Sequence, residues 1–243
     1  MFDLLYNGQM NLAPRIQIMN DNLNIAAIID HTLLKPESTP EMVRQLCQEA
    51  SENSFCSVCI LPAYVGLAVD ELKDSDVKVC TVAGFPLGAN ESLVKATETE
   101  IAVDQGADEI DMVLNVGLLK AGQTELVKND IRAVVRAANG KTVKVILETC
   151  LLQDSEKVLA CQCCVDAGAN FVKTSTGFSS AGATVEDVSL MRKTVGSELG
   201  VKASGGVRDY DTAIAMINAG ANRLGTSSGI AIVSGATAEG DDY

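Results

Sequence analysis

The chain has 243 residues, 47% of them hydrophobic and 4% aromatic, with no tryptophan and a formal net charge of −13. So acidic a balance excludes a non-specific grip on nucleic acid or on an anionic membrane surface, and no apolar run reaches the ~18 residues of a membrane span. The core must come from Val, Ile, Leu and Ala, which is the palette of buried parallel strands flanked by helices.

Residues 1–23 carry one arginine and neither an apolar h-region nor a convincing cleavage site. They read as a short N-terminal extension rather than a signal peptide, and the expected location is the cytoplasm. From residue 24 onward, short apolar runs alternate with amphipathic segments. Strands are predicted at 25–30, 55–60, 77–83, 109–115, 143–148, 171–174, 200–204 and 223–226. Helices are predicted at 40–51, 62–73, 91–104, 123–138, 154–167, 184–195 and 211–219, with a short eighth beginning near Ser228. Thr39 ahead of Pro40 suits a helix start, and Thr184 with Asp187 has the spacing of a capping box. An echo, Gly106-Ala107-Asp108, Gly168-Ala169-Asn170 and Gly220-Ala221-Asn222, closes a helix and opens a strand each time. Its glycine stands where a left-handed residue is wanted. No Pro/Gly/Ser linker divides the chain. The pattern predicts an α/β fold, a single-domain (β/α)8 TIM barrel over 24–235 with a flexible C-terminal tail at 236–243. An open doubly wound sheet is the competing architecture, but it would concentrate polar residues at one switch point.

Here polar residues recur at nearly every strand end. They are Asp30-His31-Thr32, Cys59, Gly84-Phe85-Pro86-Leu87-Gly88, Asp111 and Asn115, Glu148-Thr149, Lys173 to Gly177, Lys202 to Gly206, and Gly225 to Ser228. On a barrel, that face carries the chemistry. Lys173 and Lys202 each sit in an apolar strand beside a glycine-rich turn, and an ammonium there is costly unless paired or neutral. Neighbouring cations and burial both suppress protonation, which is how a lysine becomes a nucleophilic amine. The alternative is that one lysine pairs with Asp111 or Glu148 and the other holds phosphate as a plain cation. Gly205-Gly206 and Gly225 to Ser228, after the seventh and eighth strands, suit a phosphate, and Gly177 completes the cup. Asp111 is either a paired core ion or a proton-transfer group. Lys144 reads as a structural ion-pair partner, Asp108 as a cap or surface group, and His31, the sole histidine, as a packing residue.

Eight cysteines are present, mostly within apolar runs. Cys56-x-x-Cys59 and Cys161-x-x-Cys164 have zinc-ribbon spacing but fall on a predicted strand and helix, so they read as reduced core residues and no metal is expected.

Several runs together resemble deoxyribose-phosphate aldolases. They are Asp30 to Pro36, Gly84 to Gly88, Gly106 to Val113, Phe171 to Phe178 and Lys202 to Arg208. The resemblance extends from about Asn24 to Ser228. It implies a class I aldolase needing neither metal nor cofactor. Such an enzyme cleaves 2-deoxy-D-ribose 5-phosphate reversibly to D-glyceraldehyde 3-phosphate and acetaldehyde, within deoxyribose phosphate catabolism. The family's Schiff-base lysine falls on Lys173, its second lysine on Lys202 and its proton-relay aspartate on Asp111. Its phosphate contacts fall on Gly177, Gly205, Gly206, Gly225, Ser227 and Ser228, and its pocket positions on Asp30, Thr32 and Cys59. Some relatives carry a C-terminal tyrosine that assists proton transfer, which makes Tyr243 a candidate. Leu61 departs from the polar or aromatic residue expected there. The implied partners are the small-molecule substrates, with a homodimer as the expected assembly. Another phosphosugar lyase or isomerase, or a phosphometabolite-binding barrel, would share most of these features.

Overall fold

The computed structural model describes residues 24–236. Its strands are β1 (Ile29–Leu33), β2 (Ser57–Ile60), β3 (Lys78–Ala83), β4 (Glu109–Val113), β5 (Thr142–Ile146), β6 (Phe171–Lys173), β7 (Gly200–Ser204) and β8 (Arg223–Thr226). All pair in parallel with their sequence neighbours, and β8 returns to β1, closing the barrel. The helices are α1 (Pro40–Glu52), α2 (Val65–Glu71), α3 (Ser92–Asp104), α4 (Val116–Lys120), α5 (Thr124–Ala137), α6 (Asp154–Ala167), α7 (Val185–Val195), α8 (Tyr210–Asn218) and α9 (Gly229–Ser234). Among the described residues no helix is long and apolar enough to cross a membrane.

Strand alternation divides the molecule into two cores. Ile110, Met112, Val143, Val145, Val172, Val201 and Leu224 belong to the large apolar cluster that packs the strands against the helices. The residues between them point the other way. On β4, β5, β7 and β8 those are Glu109, Asp111, Lys144, Lys202 and Arg223, so the barrel interior is charged where most barrels are filled with branched apolar side chains. A second, small apolar cluster, Leu34, Cys59, Cys80 and Val82 with Leu61 and Phe85, fills the side of β1 to β3.

The departures from the sequence reading have local causes. Residues 25–28 form a 3-10 turn and β1 begins only at Ile29, so Asp30, His31 and Thr32 lie inside the strand rather than after it. The segment 62–73 divides into a 3-10 turn, Pro62–Tyr64, and α2, and the Tyr64 hydroxyl donates to the Ser38 carbonyl at 2.5 Å. Helix α4 was not expected. Asn115 caps it, accepting from the Leu118 N–H at 3.1 Å, and so ends the β4 segment early. Thr184 accepts from the Asp187 N–H at 3.0 Å, but the Asp187 carboxylate turns to Lys157 at 2.5 Å, leaving that box half formed. The complete box belongs to Gln153 and Glu156 at the start of α6. His31 faces outward, with Nε2 2.8 Å from Glu49 and its ring 5.1 Å from that of Phe55. Between α3 and α5, Lys95 and Asp130 form a buried ion pair at 2.6 Å, and Lys95 also donates to the Val113 carbonyl at 2.9 Å.

Candidate active site

Asp111, midway along β4, is the hub of the barrel interior. Its Oδ1 accepts from Lys144 at 2.7 Å, and its Oδ2 accepts from both Lys173 at 2.9 Å and Lys202 at 2.8 Å. Below it, Lys144 reaches Glu109 at 2.7 Å and Lys202 reaches Asp30 at 2.5 Å. Arg223 spans both anions, at 2.7 Å from Asp30 and 3.0 Å from Glu109, and stacks on the ring of Phe171 at 5.3 Å. Strand register produces this arrangement: Lys173 stands beside Lys202, Lys202 beside Arg223, and Asp111 beside Lys144.

Electrostatics follow from the geometry. Burial pushes the Asp111 carboxyl up, but Lys144, Lys173 and Lys202 outweigh it and hold the group well below the usual carboxylate range. Burial works to lower Lys202 and Lys144, yet the carboxylates around them hold both well above the ordinary lysine value. Asp30 is also lowered, burial being outweighed by Lys202, Lys144 and Arg223. Among the described residues four buried basic side chains, Lys144, Lys173, Lys202 and Arg223, face three acidic ones, Asp30, Glu109 and Asp111, an excess of one basic group. Among the described residues Lys144 and Lys202 each touch two or more carboxylates, whereas Lys173 touches Asp111 alone.

Above Lys173, the segment Thr174 to Gly177 is locked in place. Glu148, in a left-handed conformation at φ +56°, accepts from the Thr176 N–H at 3.2 Å and from the Thr176 hydroxyl. Thr174 and Ser204 tie the β6 and β7 ends together, with Thr174 Oγ1 donating to the Ser204 carbonyl at 3.0 Å. The next loops meet backbone to backbone. Ala183 donates to the Ser204 and Gly205 carbonyls at 3.1 and 2.9 Å, and a Cβ on Gly182 would lie 2.2 Å from the Gly205 oxygen. Gly177, Gly205 and Gly206 have φ of +89°, +80° and +79°, a conformation that L side chains rarely adopt. Gly206 and Ser227 are exposed, Ser228 is half-buried, and Gly225 ends the β8 interior. These loops all leave the strand ends where Lys173 lies, so N–H and hydroxyl donors cluster at one mouth.

The structure brings together Lys173, Lys202, Asp111 and Asp30. It puts Thr32 on β1, its hydroxyl donating to the Asp30 carbonyl at 2.8 Å, and Cys59 on the apolar wall facing the lysines. Asp30 is engaged by Ser57, Arg223 and Lys202, so it belongs to the charge network rather than to a strand-end loop. Leu61 packs against the apolar wall. Tyr243 lies outside the described residues. Sequence reasoning missed Arg223 and Glu109, although a charged residue in a short buried strand was the available signal. It also missed Cys80, which donates to Asp111 at 3.3 Å and accepts from Lys144 at 3.2 Å. The cysteines of α6 are buried, and burial pushes Cys161 up to about 12.

The model of the DeoC/LacD family aldolases matches residues 24–235. The deoxyribose-phosphate aldolase of Streptococcus suis is 63% identical over 213 residues, 88% of this chain and 97% of that protein. The one from Brevibacillus brevis is 61% identical over 221 residues, 91% of this chain and all of that protein. Among solved structures, the tetrameric deoxyribose phosphate aldolase of Aeropyrum pernix superposes with a TM-score of 0.82 at 36% identity, covering 86% of this chain and 89% of that one.

Proposed function

The chain belongs to the DeoC/LacD family of aldolases, and from that premise we propose that Lys173 is the amine that forms the Schiff base. The enzyme is a carbon–carbon lyase whose reaction is the reversible cleavage of 2-deoxy-D-ribose 5-phosphate to D-glyceraldehyde 3-phosphate and acetaldehyde. The observation that carries the assignment of Lys173 is its isolation. The interior has one basic side chain too many, and Lys173 is the one with a single carboxylate partner. Giving up a proton at Lys173 balances the interior charge, and its amine is then free to attack a carbonyl.

The free amine of Lys173 adds to C1 of the open-chain sugar phosphate, and loss of water leaves an iminium. Asp111, whose Oδ2 already serves Lys173 and Lys202, takes the C3 hydroxyl proton with Lys202 as relay. The C2–C3 bond breaks, its electrons flow into the iminium, and glyceraldehyde 3-phosphate departs. The enamine takes a proton back at C2 and hydrolysis frees acetaldehyde. Throughout, Lys144, Glu109, Asp30 and Arg223 fix the orientation of Asp111 and Lys202, so little rearrangement is needed as charge develops. Gly177, Gly205, Gly206, Gly225, Ser227 and Ser228 hold the phosphate, whose remote binding energy positions the reacting carbons. Asp30, Thr32 and Cys59 bound the pocket, Asp30 through its hold on Lys202. Tyr243 assists proton transfer from the tail.

The catalytic unit is 24–235. For the assembly we put forward a homodimer, supported by Leu93, Val94 and Ile101 on the outer face of α3, of which Leu93 is 77% exposed. Light scattering reads the assembly directly. The reaction is tested by following acetaldehyde release from 2-deoxyribose 5-phosphate. Lys173→Ala should abolish turnover while circular dichroism shows the fold retained, and full activity in that variant would remove Lys173 from the chemistry.

A further inference from the structure

The mechanism leaves unused a pair of sulfurs that no local sequence pattern joins. Cys59 on β2 and Cys80 on β3 are register partners on adjacent strands, and both face the barrel interior. Adjacent strands lie ~4.8 Å apart, inside the Cα separation a disulfide accepts. Inside a closed barrel, inward-pointing side chains of neighbouring strands converge rather than splay. Cys59 Sγ, Cys80 Sγ and a carboxylate oxygen of Asp111 all lie within 4.8 Å of one another. Both residues are fully buried, yet Lys173, which must meet an aldehyde, is itself only 1% exposed. A chamber that admits an aldehyde admits a molecule as small as hydrogen peroxide.

We propose that Cys59 and Cys80 form a dithiol that a peroxide closes into a disulfide across β2 and β3, reversibly switching off the catalytic centre. The two sulfurs have unequal roles. The neighbouring Cys80, and then the charges of Lys202 and Lys173, hold the Cys59 thiol low against burial, while burial, Cys59 and Asp111 push Cys80 well up. Cys59 therefore attacks first. Its thiolate forms an S–O bond as the peroxide O–O bond breaks, and the departing hydroxide takes up a proton and leaves as water. The resulting sulfenic acid is met by Cys80, whose sulfur forms the S–S bond as the S–O bond breaks. The proton of Cys80 leaves along its contact with Asp111 and joins the released hydroxide as a second water. Two electrons pass from the sulfur pair to the peroxide.

Closure reaches the chemistry through contacts already present. Cys80 loses the S–H that it donates to Asp111 at 3.3 Å, and its sulfur turns away from Lys144 at 3.2 Å. The carboxylate proposed to take the C3 hydroxyl proton is left with a changed set of partners. Cys59, on the wall facing the lysines, is drawn toward β3.

The test treats the full-length enzyme with hydrogen peroxide, blocks remaining thiols, and maps peptides without reduction. The expected product is a peptide bearing Cys59 joined to one bearing Cys80, short of two hydrogens. Activity should fall in proportion to the crosslinked fraction and return with dithiothreitol. In Cys80→Ala, scored against its own untreated activity, Cys59 has no resolving partner. It should advance to sulfinic acid, and the lost activity should not return. The proposal is overturned if oxidised parent enzyme carries Cys59 only as an oxyacid, if Cys59 or Cys80 is crosslinked elsewhere, or if Cys80→Ala recovers as the parent does. Because the peptide map needs no turnover, its outcome is independent of the Schiff-base assignment.

Discussion

Asp111→Asn keeps the size of the side chain and removes its charge. Lys144, Lys202 and Lys173 then lose a carboxylate held at 2.7, 2.8 and 2.9 Å respectively. All four residues are at most 1% exposed. Deleting one partner of a buried ion pair costs about 3–5 kcal/mol. Lys144 retains Glu109 and Lys202 retains Asp30, so the expected loss at pH 7 is that of about one pair, ~3–5 kcal/mol, rather than three. The pH dependence has a definite sign. In the parent, burial opposes protonation of Lys144 and Lys202, but the carboxylates prevail and their folded values are raised. The stability they contribute is complete below the unfolded lysine value of about 10.4 and is lost only as pH climbs through the raised folded values. Asp111, with a lowered folded value, contributes stability that is complete above the unfolded carboxylate range and constant between pH 7 and 9. In the variant burial is less opposed, one more lysine than in the parent releases its proton on folding, and the excess of protons bound by the unfolded chain is larger than in the parent. Stability then rises with pH, so the deficit against the parent narrows from pH 7 to pH 9. Urea denaturation of both proteins at the two pH values reads this directly. A deficit under about 1 kcal/mol at pH 7, the size of an exposed pair, or one that does not change with pH, refutes the reasoning.

Lys95→Met leaves Asp130 buried and unpaired, and should cost about 3–5 kcal/mol in urea denaturation. Adding Asp130→Leu should restore most of the loss, because two apolar groups then replace the pair; a double variant as weak as the single one would contradict this. Ser227→Asp sets a carboxylate in the proposed phosphate cup. It should raise KM for the phosphorylated substrate by about tenfold or more, ~1.4 kcal/mol, while leaving cleavage of unphosphorylated deoxyribose unchanged; equal effects on both would move the phosphate elsewhere. Lys202→Leu should lower kcat by about 100-fold or more and alter the pH–rate profile. An unaltered profile would remove Lys202 from proton transfer.

Much of this site was legible because a charge inside an apolar strand is conspicuous. Lys173, Lys202, Lys144 and Asp111 stood out on that ground. What those residues touch was not legible. Arg223 meets Asp30 across 193 residues and Glu109 across 114, partners that only barrel closure unites. Cys59 and Cys80 become a pair only through the register of β2 with β3. The first strand was placed four residues early because Ile25 to Ile28 are as apolar as the strand they precede, and a 3-10 turn leaves no periodic trace in so short a run. Helix α4 escaped for a similar reason: five residues are too few to show a helical period, and only Asn115 marked its start.

Lys173 is the proposed nucleophile. Reduction of the enzyme with borohydride in the presence of acetaldehyde, followed by peptide mass mapping, tests it most directly. One ethyl adduct is expected, on the peptide bearing Lys173. An adduct on Lys202 instead, or none in a folded enzyme that turns over its substrate, would contradict it.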